Sequence, residues 1–572
     1  MADRTFQNFK PIRNKLRTFL PDSVLSLAIA KLHELREFPA EKIRFYPPWV
    51  ILLIIKWTVL CGDFGDYTLR RATPRDLDRL VNMTHKVFDG IQFPTDPFIF
   101  MKNMAFQQLW LQRKVNSADL GRQVLLFEEL PTNPYIEETF CRLTGIKLSD
   151  FLELSLGLAT WLLTDNKPYI DRSYFHTIEG SYPAQTIDRF LGQLSLDSSS
   201  LKPFLQEEDE RIQNFEFKLF EQTPLKKRPL FRVGTQYFCY SPNVLHASLS
   251  TIVYDMLKEH DPAPFSENFG KCFEKYVKLG LDYSGIKFIE ENELKRLFPD
   301  MQVVDFLLPC PDSNVLIESK AIELSPLARV SPDPGVIGRN LRDSVIKTVK
   351  QGISVASRLT ANSPVIPGVV SSPRDTFLLV ATFKDLHLGN GKTFFRGPNK
   401  EEIDKYVSEK GLTGEILPFE NIYFLSISEF EWLVYVLKYH QISLPELLRT
   451  IVELDSSSGK KFQFGQHLQS QFNDIRLPEY VVERYDSLAA RLEKNCYGKI
   501  DGNKSKRWVW RSGPSIGFAR GPYGPRRCRF SFLRGRFFFL FRVKYSASGS
   551  STAGKLSIYD KSLPTTSSSI VA

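Results

Sequence analysis

The sequence predicts an α/β core, a mixed sheet flanked by helices, behind a large, mostly α-helical N-terminal region. Three observations predict it. Residues 1–225 place apolar side chains at helical spacing after proline and aspartate start signals. Residues 262 to about 440 alternate helix and strand patterns. Residues 302–321 form two apolar runs around a turn, each interrupted by one carboxylate. The 572 residues are 42% hydrophobic, 13% aromatic and 24% charged, a globular composition that excludes wholesale disorder.

In the N-terminal region, Pro21-Asp22-Ser23 offers a cap before Leu25, Ala28, Ile29, Leu32 and Leu35 at helical spacing. Asp96-Pro97 gives a second start before Phe100, Met104, Leu109 and Leu111. The most apolar stretch, Trp49 to Cys61, is 13 residues long and contains Lys56. That is well short of the roughly 20 residues a membrane span needs, so a buried core helix and no membrane contact are expected. The opening MADRTFQNFK has no long apolar core, so no secretory signal is expected. The seven cysteines form no CxxC pair, which excludes a cysteine zinc finger and argues against a disulfide framework. A reducing, cytoplasmic setting follows as the expectation.

Residues 226–260 read as a strand and helix connector, with Phe231, Val233, Tyr237 and Phe238 around Gly234. Residues 261–440 form the α/β domain, and 441–497 return to helical patterns broken by Ser456-Ser457-Ser458-Gly459. The final stretch, 498–572, is basic and rich in Arg, Gly and aromatics, then Ser-rich. Its two readings are a nucleic-acid-binding arm and a tail without a core, and its Gly/Pro-rich, acid-poor composition favours the tail. Residues 501–572 carry +12 of the net +10, which leaves the first 500 residues at −2. Bulk charge therefore says nothing about a binding cleft in the folded body.

The chemistry concentrates in QVVDFLLPCPDSNVLIESKA, residues 302–321. Pro309 to Asn314, with two prolines, Asp, Ser and Asn, reads as the turn of a β-hairpin between Val303–Leu308 and Val315–Ala321. Pairing Leu308 with Val315 sets a register in which Asp305 faces Glu318. Opposed residues on an antiparallel pair stand about 4.5–5.5 Å apart at Cβ, and like charges there destabilise it. Two carboxylates in apolar strands thus call for a cation, and a divalent metal with hard oxygen ligands would supply one. Lys320, two residues past Glu318, lies on the same strand face. The plainer alternative is a pair of strand charges satisfied by Lys320 without metal.

Asp305 followed by Glu318-Ser319-Lys320 resembles the D…ExK signature of the PD-(D/E)XK, restriction-endonuclease-like nuclease superfamily. The flanking order is similar too: a helix around Phe269–Val277, a strand from Ile286 to Leu294, and the hairpin. A helix from Asn340 to Leu359, strands at Phe377–Phe383 and Ile422–Ile427, and a helix from Glu429 then follow. The likeness covers about 170 residues. It implies a metal-dependent nuclease acting on nucleic acid, DNA above all, with Asp305, Glu318 and the Ser319 carbonyl as ligands of Mg²⁺ or Mn²⁺. It also implies catalytic roles for Lys320 and for Glu274 on the first helix, and a phosphate contact for Gln351 on the second. Glu274 reads alternatively as a helix ion pair with Lys271 or Lys278, and Gln351 as a solvated residue.

Large helical regions fused to such nucleases resemble bacterial anti-phage defence proteins, where the appendage meets a trigger or partner. The competing function is an inactive nuclease-like scaffold that binds nucleic acid or acts through residues 1–225. Other motifs are absent or weak. Gly389-Asn390-Gly391-Lys392-Thr393 lacks the first glycine of a phosphate loop, the eight histidines show no metal spacing, and no G-x-S-x-G occurs.

Overall fold

The structure, a computed structural model, describes residues 2–35, 43–89, 91, 94–112, 116–164, 167–361, 366–370, 374–412, 416–457 and 459–497. The basic tail from 498 onward lies outside the described residues. Two compact units divide the chain, one up to residue 93 and one beginning at Pro94. The boundary expected near 225 therefore falls inside the second unit.

The first unit contains the helices Ala2–Leu16, Pro21–Glu34, Pro48–Cys61 and Pro74–Asp89. Three of them start on proline, whose fixed φ suits the first turn and whose missing N–H costs nothing there. Val24, Leu25, Ala28, Ile29, Leu32 and Leu35 form a buried stripe, as their spacing predicts. The Pro48–Cys61 helix buries ten consecutive residues, Val50 through Val59, so it is enclosed on every side. The helix ends at Gly62, where the space suits glycine because a Cβ would lie 2.6 Å from the Thr58 carbonyl oxygen and 2.7 Å from Pro21. Leu53→Ala should cost about 3 kcal/mol as a core truncation. An unchanged denaturation midpoint would mean that this helix is not central to the unit. Among the described residues no helix is long and apolar enough to cross a membrane.

The second unit is mixed α/β with two sheets. The smaller has the order β1-β4-β3-β2, built from β1 (Tyr169–Asp171), β2 (Ser195–Leu196), β3 (Leu230–Val233) and β4 (Gln236–Cys239). Gly234 turns the β3–β4 hairpin at φ 59°, a conformation that favours glycine. The larger sheet runs in sequence order through β5 (Ile289–Glu290), β6 (Phe306–Pro309), β7 (Ser313–Lys320), β8 (Asp375–Thr382) and β9 (Ile422–Ser426). β5, β6 and β7 are antiparallel neighbours, whereas β8 and β9 continue in parallel with β7.

Alternation sends the larger sheet's side chains into two cores. Phe306, Leu308, Val315, Ile317, Phe377 and Leu379 join Phe265, Phe269, Phe273, Tyr276 and Val277 of the Pro262–Ser284 helix. Leu307, Leu316, Leu378 and Val380 join Val349, Ile353, Val355 and Ala356 of the Lys347–Thr360 helix. The sheet is thus covered on both faces, which suits the near-continuous apolar runs of β7 and β8.

Two elements differ from the sequence reading. The strand expected over Ile286–Leu294 is only Ile289–Glu290, after which Glu291–Leu297 is helical. Acidic residues in its first turn and Lys295 and Arg296 in its last complement the helix dipole, and Leu294 alone is buried. The hairpin turn is also tighter than Pro309–Asn314, because Pro309 pairs with Asn314 and the Cys310 N–H bonds the Ser313 carbonyl at 3.1 Å.

Candidate active site

The β6–β7 register pairs Leu308 with Val315, Leu307 with Leu316 and Phe306 with Ile317. One step further, Asp305 stands opposite Glu318, as the sequence predicts. The manner of their meeting is different. The Asp305 backbone N–H donates to Glu318 Oε2 at 3.0 Å. The Ser319 backbone N–H and hydroxyl donate to Asp305 Oδ2 at 2.7 and 2.6 Å. Each carboxylate therefore crosses to a donor on the other strand, and Lys320 Nζ donates to Glu318 Oε1. The Lys320 ammonium is a cation beside the pair. Backbone N–H groups, invisible to an argument from side-chain alternation, hold them together with Lys320.

Burial sets the electrostatics. Asp305 and Glu318 are 8% and 2% exposed, whereas Lys320 and Glu274 are half-buried. Loss of water, then the Asp305 charge, pushes the Glu318 carboxyl up to about 7. Burial also raises the Asp305 carboxyl, against the Ser319 bonds and the Lys320 charge. Burial pulls the Lys320 ammonium toward neutrality, but Glu318 and Asp305 outweigh it and hold the group above its ordinary value.

Glu274 sits on the Pro262–Ser284 helix, and neither neighbouring lysine takes it. Lys271 pairs with Glu267, and Lys278 pairs with Asp282 and Glu290. Burial first, then the charges of Asp305 and Glu291, push the Glu274 carboxyl up to about 7. The four residues singled out by sequence thus form one electrostatically coupled group. Glu291, which also acts on Asp305 and Lys320, is an addition. The sequence reading missed it by placing it within a strand; its N-terminal helix position was the available signal.

Gln351 lies on the Lys347–Thr360 helix. Its Nε2 donates to the Val303 carbonyl at 3.4 Å, and its Oε1 is buried without a partner. It is anchored beside the segment leading to Asp305 rather than solvated.

The Glu318 position makes a stability prediction. Between an unfolded value of 4.5 and a folded value of about 7, the folded state holds the extra proton. Stability is then lost as pH rises through that window, by about 3 kcal/mol at most. Glu318→Gln cannot titrate, so wild type should lose stability relative to it between pH 5 and 8. Chemical denaturation at both pH values checks this, and parallel profiles would refute it.

Among the described residues no three His, Cys, Asp or Glu side chains are grouped to hold a metal ion. The donor set nonetheless suits a hard divalent cation. It offers two carboxylates and the Ser319 carbonyl, and among the described residues no hydrogen bond falls on Asp305 Oδ1. Magnesium commonly takes one or two carboxylates and completes its shell with water and substrate oxygens. No protein-family model, curated protein or solved structure matches this chain.

Proposed function

We propose that the chain is a metal-dependent nuclease of the PD-(D/E)XK type, hydrolysing phosphodiester bonds of nucleic acid, DNA foremost. The observation that carries this reading is the convergence of Asp305, Glu318 and Lys320 on one hairpin, with Glu274 in electrostatic range. Element order supports it: a long helix, an antiparallel meander of three strands, a second helix and a further parallel strand. Its place in anti-phage defence, and a trigger met by the N-terminal helices, rest on architectural likeness.

Asp305, Glu318 and the Ser319 carbonyl would hold Mg²⁺ or Mn²⁺. When bound, such an ion supplies Lewis-acid activation of water and offsets charge on the phosphate. Lys320, held in its charged form, is suited to meet a phosphate oxygen rather than to remove a proton. Glu274, poised near 7, is the group able to take a proton from an attacking water at neutral pH. Gln351 Oε1 is a buried acceptor without a partner, whereas its Nε2, the donor that a phosphate contact would use, is engaged by the Val303 carbonyl.

The test is cleavage of supercoiled plasmid, linear DNA and RNA with Mg²⁺, Mn²⁺ or EDTA. The expected result is cutting that EDTA stops and Asp305→Asn removes. A folded protein that cuts none of the three with either metal would overturn the proposal. One observation favours the second reading, an inactive nuclease-like scaffold: the Lys320–Glu318 pair and the Ser319–Asp305 bonds satisfy the carboxylates without an ion.

A further inference from the structure

Past the C-terminal ends of β7, β8 and β9 the second unit has an open cleft with a cavity of about 580 Å³. Glu323 lies three residues beyond β7, Phe383 and Lys384 follow β8, and Ser426 ends β9. Ligands of open α/β sheets bind at the carboxyl ends of parallel strands, and this volume lies in the range of small-molecule sites. Glu274, Asp305, Glu318 and Lys320 are not among its lining residues, so it is a separate place on the molecule.

Most charges around it are matched. Lys227 and Arg211 share Glu208 and Glu259, and Lys384 bridges Asp255 and Glu323. Arg329 also pairs with Glu323. Lys226 is different. It reaches the cavity from the short turn Pro224–Lys227, and among the described residues its ammonium makes no hydrogen bond or ion pair. The charged groups acting on it are Lys384 and Arg329 against Asp255 and Glu323. Across the whole lining seven Lys and Arg face seven Asp and Glu, so Lys226 stands out by its missing partner and not by a net charge. A second donor is idle as well: Trp110 Nε1 is buried without a partner on the same cavity wall, near Phe106.

We propose that this cavity binds a small ring-bearing monoanion, a carboxylate or a phosphodiester, with its charge on Lys226 and its planar ring among Phe106 and Trp110. An ammonium with neither ion pair nor hydrogen bond can take one anionic group as its partner. The idle buried Trp110 N–H costs about 1–3 kcal/mol, so an acceptor that engages it gains specificity as well as affinity. Burial pushes the Lys226 ammonium down to about 8, and an anion beside it would raise it again.

Titration calorimetry on the full chain tests this, with cyclic AMP as the phosphodiester and indole-3-acetate as the carboxylate. Adenosine and acetate serve as ring alone and charge alone. At least one monoanion is expected to bind with a Kd below about 1 mM, and adenosine and acetate at least about tenfold more weakly. Which monoanion binds identifies the class. Lys226→Met should weaken binding by about tenfold or more, and Lys226→Arg should retain it. Should Lys226→Met fail to fold, Trp110→Phe, which keeps a ring and removes the N–H, should weaken binding at least about fivefold. No binding of either monoanion at 10 mM, equal binding of adenosine or acetate, or binding that survives the usable variant overturns the proposal. Asp305→Asn should bind as wild type does, so failure here and failure of the nuclease reading are distinguishable.

Discussion

Asp305→Asn is expected to lower metal-dependent cleavage by about 10²–10³-fold or more, the scale of losing one preorganised electrostatic group. The fold should survive. The Asn side-chain oxygen can still accept from the Ser319 N–H and hydroxyl, and the Asp305 backbone N–H still reaches Glu318. The substitution also removes a charge that raises the Glu318 carboxyl, so the metal-free variant should be as stable as wild type or slightly more. Millimolar Mg²⁺ or Mn²⁺ should raise the Tm of wild type more than that of the variant, because a ligand that binds only the folded state stabilises it. A purely structural role for the carboxylate predicts the reverse: Asp305→Asn destabilises and metal changes neither melt. Cleavage by the variant at the wild-type rate would place the active site elsewhere.

The second large effect concerns a pair far from the hairpin in sequence. Arg122, on the Asp119–Val124 helix, donates through Nε and Nη2 to the two oxygens of Glu431 at 2.6 Å each. Glu431, on the Ile427–His440 helix after β9, is fully buried and also accepts from the Tyr276 hydroxyl. Burial works against the Arg122 charge, yet Glu431 and Asp119 hold the guanidinium well above its ordinary value. Arg122→Met leaves a carboxylate enclosed with only a hydroxyl for company. That should cost about 3–5 kcal/mol, whereas Arg122→Met with Glu431→Leu should recover much of the loss. Urea denaturation of the two variants decides it; a single-variant loss under about 1 kcal/mol would mean that water reaches the pair.

Sequence reading succeeded where the controlling interactions are local. Two prolines and three turn-forming residues fixed the hairpin register, so the Asp305–Glu318 opposition could be counted from the turn. The helical period likewise exposed the buried face of Phe269, Phe273, Tyr276 and Val277. It failed where distant segments decide. Arg122 and Glu431 are 309 residues apart, and nothing near either predicts the other. The cavity gathers Trp110, Lys226, Arg329 and Lys384 from four separate stretches. At Ile286–Leu294 the apolar residues were too few to choose between strand and helix, and end charges favoured the helix.

The hairpin also has a consequence for the order in which the protein is made. Leu308 and Val315 are seven positions apart, whereas Val315 and its β8 partner Phe377 are separated by 62. At about 5–20 residues per second, a ribosome takes roughly 3–12 s to add that interval. A hairpin closes in about 1–10 μs. The candidate ligands can therefore meet on the nascent chain seconds before β8 exists, though a lone hairpin is only marginally stable. During that interval the far edge of β7, with Val315, Leu316 and Ile317, has no strand beside it, and such an edge is where another chain can pair. Completion of β8 covers that edge, and β9 in turn covers the edge of β8.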